Sequence, residues 1–261
     1  IQHQFNPECG LWNRLEIEGS TLSIDNTFNH QLWFAACASL LNTPRREKIR
    51  GRVSRFMECL SENLSVLESG LIYHPIERNI KQNDWSLSAK SKLRNVVESL
   101  IPLLLKRKGQ SRHNDDEFRE KMIYKSVGYH QFNMYAFAML KESLPDHPFW
   151  QSSEFERSCK FLLSDEFKDC LSNNIYGYSY NPPGFEVSYA LSVFANLSIH
   201  ELVEISSWWV NEQIKRCYSP ETRMMDRNTE DHSTLTARIY ELTRLSTPLL
   251  ERIEVDIQLI N

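Results

Sequence analysis

A chain of 261 residues, 41% of them hydrophobic, is long enough to bury a sizeable core in one large domain or two small ones. Its net charge of −4 gives no electrostatic reason to expect a nucleic-acid partner, whose binders carry basic patches. No stretch approaches the roughly 20 consecutive apolar residues that a membrane span requires.

The chain opens at Ile1 rather than Met, which leaves room for a missing leader, and no signal peptide is visible in its first thirty or so residues. Six scattered cysteines without a C-x-x-C pair suit reduced thiols and favour a cytoplasmic setting. Glycine is scarce and 3.6-period segments dominate, so the fold class expected is all-α.

Residues 1 to 23 show no clear period, although Phe5, Leu11, Trp12, Leu15 and Ile17 supply apolar mass. Asp25 and Asn26 are helix-capping residues ahead of a helix from Phe28 to about Asn42 that is apolar nearly all round. Ile49, Val53, Phe56, Met57, Leu60, Leu64 and Leu67 form one stripe and predict an amphipathic helix over 46–68. A loop over 71–84 and a helix over 85–106 come next. Arg107 to Asp116 reads as a charged loop and Glu117 to Tyr124 as a short helix.

The stretch YKSVGYHQFNMYAFAML, Tyr124 to Leu140, reads as a polar, aromatic loop running into a buried helix. Tyr129, His130, Gln131 and Asn133 then stand in its first turn. Pro145 and Pro148 stop that helix. An outer helix is predicted over 152–163 and a tyrosine-rich loop over 173–184, feeding the apolar helix FEVSYALSVFA. An amphipathic helix over 200–217, a loop over 219–230 and a last helix over 231–245 bring the chain to its tail.

The polar entrances His30, Asp84, His130, Glu186 and His232 recur at intervals of about fifty residues, the mark of stacked helical hairpins. In such a stack the loops before the inner helices gather on one face. Residues 1–261 are expected to form one such hairpin-repeat domain.

With IYKSVGYHQFNMYAFAML and NPPGFEVSYALSVF in view, the chain resembles the (α/α) toroid, or six-hairpin, superfamily of glycosidases, polysaccharide lyases and sugar epimerases. The first stretch is similar to the linalool dehydratase-isomerase group within it. That group uses cysteines in the second stretch and none stands here, so its chemistry is not carried over. Six hairpins of this period need roughly 300 residues, so the resemblance implies a toroid or an incomplete one.

His130, with Tyr129 beside it, is a candidate general acid or base at a helix mouth. The bland reading is a core histidine bonded to a neighbouring loop. His30 and Glu186 open two other buried helices and are the remaining catalytic candidates, although a first-turn Glu is favoured by the helix dipole alone. Asp25, Asn29, Trp33, Asn133, Tyr178, Tyr180, Asp226 and His232 are candidate substrate-binding residues. The tyrosines could wall a sugar or simply pack.

No H-E-x-x-H, paired-cysteine, Walker, G-x-S-x-G or dinucleotide motif occurs, so neither metal nor cofactor is expected. The function expected is acid/base chemistry on a carbohydrate: hydrolase, lyase or epimerase, with a small-molecule or oligosaccharide substrate. Two alternatives stand beside it. One is an isomerase or cyclase of a terpenoid-like molecule. The other is a non-catalytic helical scaffold for a protein partner.

Overall fold

The computed structural model describes residues 3–77 and 111–260, with the backbone alone for 111–116. The expected helix over 85–106 and the Asp84 entrance lie outside the described residues.

The structure is mostly helical, but the chain starts with a three-stranded antiparallel sheet in the order β1-β2-β3, which corrects the all-α expectation. β1 is Phe5–Asn6, β2 Leu11–Leu15 and β3 Thr21–Ile24. Phe5 faces Trp12, and Leu15 faces Thr21 across a register shift. The strands escaped the sequence pattern for a physical reason. Leu11 and Trp12 are consecutive and both buried, so β2 lacks the alternation that marks a half-buried strand. Gly19, at φ 92°, makes the β2–β3 turn in a conformation open to glycine.

α1 is Phe28–Ser39, with Phe28, Leu32, Ala35 and Ala36 fully buried. Gln31 ties it to the sheet. Its amide donates to Trp12 O and Asp25 O and accepts from Trp12 N–H. α2, Arg46–Glu58, and α3, Leu60–Asn63, carry the expected stripe through Val53, Phe56, Met57 and Leu60. The chain then leaves the helix earlier than expected. Leu64 is extended, and Val66 pairs with Ile72 in a turn that Leu67 N–H closes on Leu71 O.

α4 is one helix over Ser111–Ser143. The charged loop expected up to Asp116 is therefore helical from Ser111 onward, and no loop separates Tyr124 from the buried segment. Gly128 lies inside this helix. It does not turn the chain; it lets the Asn174–Tyr176 backbone pack against the helix, where a Cβ would collide with Tyr176. Tyr129, His130 and Asn133 thus lie deep within a helix rather than at its mouth.

α5 is Ser153–Leu163, capped by Ser152, and α6, Asp165–Ser172, is capped by Ser164. α7 is Pro183–Phe194 and α8 Ile199–Cys217, the latter opened by a Ser198–Glu201 capping box. α9 is the short His232–Ala237, capped by Asp231, and it continues as a 3-10 helix over Arg238–Arg244 rather than as α-helix to Leu245. α10 is Thr247–Leu250.

α4 lies at the centre. α1 and α7 pack on it, and α8 and the 3-10 segment pack on α7. From Ser126 to Leu140 every α4 residue except Phe132 is buried, which is why the segment is apolar on nearly all sides.

Candidate functional site

Three helix beginnings meet beside the middle of α4. The first turn of α1 supplies Asn29 and His30, with Trp33 one turn on. The loop before α7 supplies Ser179, Tyr180 and Asn181. The start of α9 supplies Asp231 and Thr234. Together with Tyr129 and Phe132 of α4, and with Leu235 and Arg238, they enclose a cavity of about 290 Å³.

One wall is aromatic. Trp33 stacks on Phe132 with centroids 4.2 Å apart and on Tyr135 at 5.7 Å. Tyr129 lies 5.9 Å from Phe132 and 6.0 Å from Tyr180. Burial pushes the Tyr129 phenol up, and its hydrogen bond with Tyr180 pushes it further, so it stays protonated. Behind it lies His74, whose ring is 4.8 Å from that of Tyr129. Burial, and then Lys125, lower His74 to about 4, so it is a neutral packing partner.

At the rim, His30 Nδ1 lies 2.9 Å from Asp25 Oδ2. Burial alone would raise the Asp25 carboxyl, but the His30 contact and the Thr27 N–H outweigh it and hold Asp25 below its ordinary value. Asp25 therefore faces His30 as a carboxylate. With Nδ1 held, Nε2 is the ring nitrogen left to meet a ligand, and the side chain is 61% exposed. A histidine oriented by a carboxylate in this way can carry a proton to or from a substrate.

At the floor, Arg238 is engaged by protein on every side. Its Nε–H donates to Glu241 at 2.9 Å, and Nη1 donates to Tyr180 O at 3.3 Å and Asn181 Oδ1 at 3.2 Å. Nη2 donates to Glu186 and to Glu241. These five bonds match the five N–H groups of a guanidinium. The plane also covers Phe132, with the guanidinium carbon 5.0 Å from the ring centroid. Arg238 therefore stitches the loop before α7, α7 itself and the 3-10 segment into one unit. Burial raises the Glu186 carboxyl well above its ordinary value, Arg238 opposing and Glu241 adding to the rise. Burial also raises Glu241, against Arg238 and Arg244.

The loop carrying Tyr180 is tied to α4 as well. Asn181 Nδ2 donates to Gly128 O and Tyr176 O, and Gln131 Nε2 donates to Gly128 O and Asn181 O.

Of the residues singled out in the sequence, Asn29, His30, Trp33, Tyr129 and Tyr180 line the cavity, with Asp25 behind His30 and Glu186 beneath Arg238. Others lie elsewhere. His130 is fully buried. Its Nδ1 accepts from Ile72 N–H at 3.4 Å, its Nε2 lies 3.1 Å from Ser158 O, and Phe161 and Phe167 meet it edge-on. It joins the turn after α3 to α5 and does not face His30, Glu186 or Tyr178 across a cavity. Asn133 is buried, and Tyr178 packs on Trp209 under Arg216. Asp226 accepts from Thr222 at 2.5 Å, and His232 is exposed in the first turn of α9 outside the cavity wall.

Sequence reading missed Phe132, Asn181, Thr234, Leu235, Arg238 and Glu241. The i,i+3 spacing of Arg238 and Glu241 in the last helix was visible, but it reads as an ordinary surface pair until burial is known. Among the described residues no three His, Cys, Asp or Glu side chains gather as a metal-binding group, and no helix is long and apolar enough to cross a membrane.

The fold and the site thus define a mostly helical protein with an aromatic and polar cavity at converging helix starts. Archaeal glycosylation protein Q of Haloferax volcanii is 35% identical over 247 residues, which cover 94% of this chain and 63% of that protein. The chain therefore spans less than two thirds of the length of this relative. No family model matches the sequence, and no solved structure matches it.

Proposed function

We propose that the chain acts on carbohydrate in a glycosylation-related process, by acid/base chemistry within this cavity. The observation that carries the reading is the junction of an aromatic wall with a carboxylate-oriented histidine. The aromatic side chains of Trp33, Tyr129 and Tyr180 that line the cavity suit the apolar C–H faces of a sugar ring, and His30, backed by Asp25, stands at the rim to move a proton. The name of the Haloferax volcanii relative points the same way.

Hydrolase, lyase and epimerase chemistries each need a residue that moves a proton, the part we give to His30. We read the helices as part of an (α/α) toroid, supported by the packing of α1 and α7 on α4 and of α8 on α7. A terpenoid cyclase would want a wall of apolar side chains throughout, whereas Asn29, His30, Ser179, Asn181, Asp231 and Thr234 share this one.

The test is incubation of the protein with a panel of oligosaccharides of neutral, acetamido and uronic sugars, then mass spectrometry and NMR of the anomeric and ring protons. Conversion by the native chain, lost in His30→Ala, is the expected result. No conversion and no binding of any member would sink the reading.

A further inference from the structure

We propose that Lys125 binds an anionic substituent of the saccharide, in a second subsite formed with Tyr129, Tyr176 and Tyr180 beside the cavity. This rests on the carbohydrate reading above.

Lys125 stands one turn before Tyr129 on α4, at the i,i+4 spacing that puts two side chains on one helix face. Its ammonium lies 5.5 Å from the centroid of the Tyr129 ring and 5.7 Å from that of Tyr176. Those two rings are 5.9 Å apart, and Tyr180 neighbours both, at 6.0 Å and 6.2 Å. Tyr129 and Tyr180 line the cavity. The aromatic wall therefore continues past the cavity to Tyr176, and a cation is set at the junction. Tyr180 is 55% exposed and Lys125 and Tyr176 are half-buried, so this track is open to a ligand. Lys125 Nζ itself is not closed off from solvent.

Burial, and then Lys121, lower the Lys125 ammonium, and no carboxylate among the described residues offsets them. Two other lysines of the described residues lie over rings, and each has an oxygen partner as well. Lys168, over Trp208, meets Asp165 at 2.9 Å, and Lys141, over Trp150, donates to Pro145 O at 2.6 Å. A ring face steadies an ammonium but leaves its three N–H donors in need of oxygen. Water or a hydroxyl satisfies the donors and leaves the charge uncompensated. A carboxylate, sulfate or phosphate ester does both, and gains most where the ammonium has already lost part of its water. Arg238, the cation at the cavity floor, is already compensated by Glu186 and Glu241, so it does not compete for the anion.

The experiment titrates methyl disaccharides of glucose, galactose and mannose into the whole chain. Each is used in its neutral form and with the primary hydroxyl of the non-reducing residue oxidised to a carboxylate, sulfated or phosphorylated. The native chain, Lys125→Met and Lys125→Arg are compared, with a thermal melt of each. Methionine keeps an unbranched side chain over the rings and suits a helix, and arginine keeps the charge. An anionic form is expected to bind the native chain about tenfold or more tightly than its neutral parent, the scale of one charge-assisted hydrogen bond. Added salt should shrink that advantage. Lys125→Met should bind both forms alike, and Lys125→Arg should keep the preference. The anion with the largest advantage assigns the group: a carboxylate marks a uronic sugar, an ester a sulfated or phosphorylated one.

Equal binding of neutral and anionic forms by the native chain would overturn the proposal and leave the carbohydrate reading standing. A preference kept by Lys125→Met would overturn it too, since another group would then meet the charge. So would an equal loss of every form in Lys125→Met with a melting temperature lowered by about 2–4 °C or more, which marks a lysine that only packs. Failure of every saccharide to bind the native chain would overturn the carbohydrate reading itself, and this inference with it.

Discussion

Trp33 of α1 lies flat on Phe132 of α4, with centroids 4.2 Å apart and planes 22° apart, and its Nε1–H donates to Phe132 O at 3.1 Å. One residue thus fixes the distance between two helices and forms the cavity's aromatic wall. Stacked pairs add about 0.5–1.5 kcal/mol beyond burial. Trp33→Ala should lower stability by about 1–3 kcal/mol in urea titration and abolish saccharide binding. Trp33→Phe should keep most of the stability and much of the binding. Full binding by Trp33→Ala would remove the aromatic wall from recognition.

Asp25 holds His30 through Nδ1. Asp25→Asn should preserve the fold, yet lower kcat by about 100-fold with a smaller change in KM, because it removes the orienting charge rather than a binding group. An unchanged kcat would leave His30 a surface residue.

Glu186 sits under Arg238 with its carboxyl value raised by burial. A raised folded value means that the native state holds the proton more tightly than the unfolded chain. The contribution to stability is full below the ordinary Glu value of 4.5 and falls away as pH rises through the folded value. Glu186→Gln keeps the shape and cannot ionise. Relative to the native chain it should therefore gain stability steadily as pH is raised above about 4.5, whatever its offset at low pH. Melting curves of the two proteins from pH 4 to pH 8, run side by side, decide this; parallel curves would contradict it.

His130 is pushed down to about 4, mainly by burial. A depressed folded value reverses the sign. The stability is present above the ordinary His value of 6.5 and lost as pH falls towards 4, by roughly 3 kcal/mol in all. His74, also lowered to about 4, acts in the same direction. His130→Gln should flatten the stability change between pH 6.5 and pH 4 and keep turnover at pH 7 within a few-fold. A loss of about 100-fold in turnover with a normal melt would return His130 to the mechanism.

Gly128 lies inside α4, where alanine would ordinarily favour a helix by up to about 1 kcal/mol. Here an added methyl meets Tyr176 and, at 2.8 Å, Asn174 Oδ1. Gly128→Ala should instead destabilise by about 1–3 kcal/mol and loosen the loop that carries Tyr180. Chemical denaturation and proteolysis near Tyr176 would show both effects.

Most helices are legible in the amino-acid order because their signals are local. The stripe Val53, Phe56, Met57 and the apolar run from Met134 to Leu140 each depend on residues within a turn or two. Asn29, His30, Trp33, Tyr129 and Tyr180 also stand out there, since polar and aromatic residues at the start of apolar helices need partners. What local signals could not carry is pairing over long separations. Strands of two to five residues gave no period, and Leu11 with Trp12 concealed the sheet. The polar, aromatic start of Tyr124 to Leu140 read as a loop because the Asn174–Tyr176 backbone that packs on Gly128 there is some fifty residues away, so α4 looked interrupted. His130 looked like a helix-mouth acid or base for that reason, and only packing against Ile72, Ser158 and Phe161 made it a core residue. Arg238 and Glu241 drew no attention in the sequence, where an i,i+3 pair of opposite charges is ordinary on a helix surface. Burial against Glu186 from another helix turned them into the floor of the cavity, because a charge removed from water must gather its partners from wherever the fold supplies them.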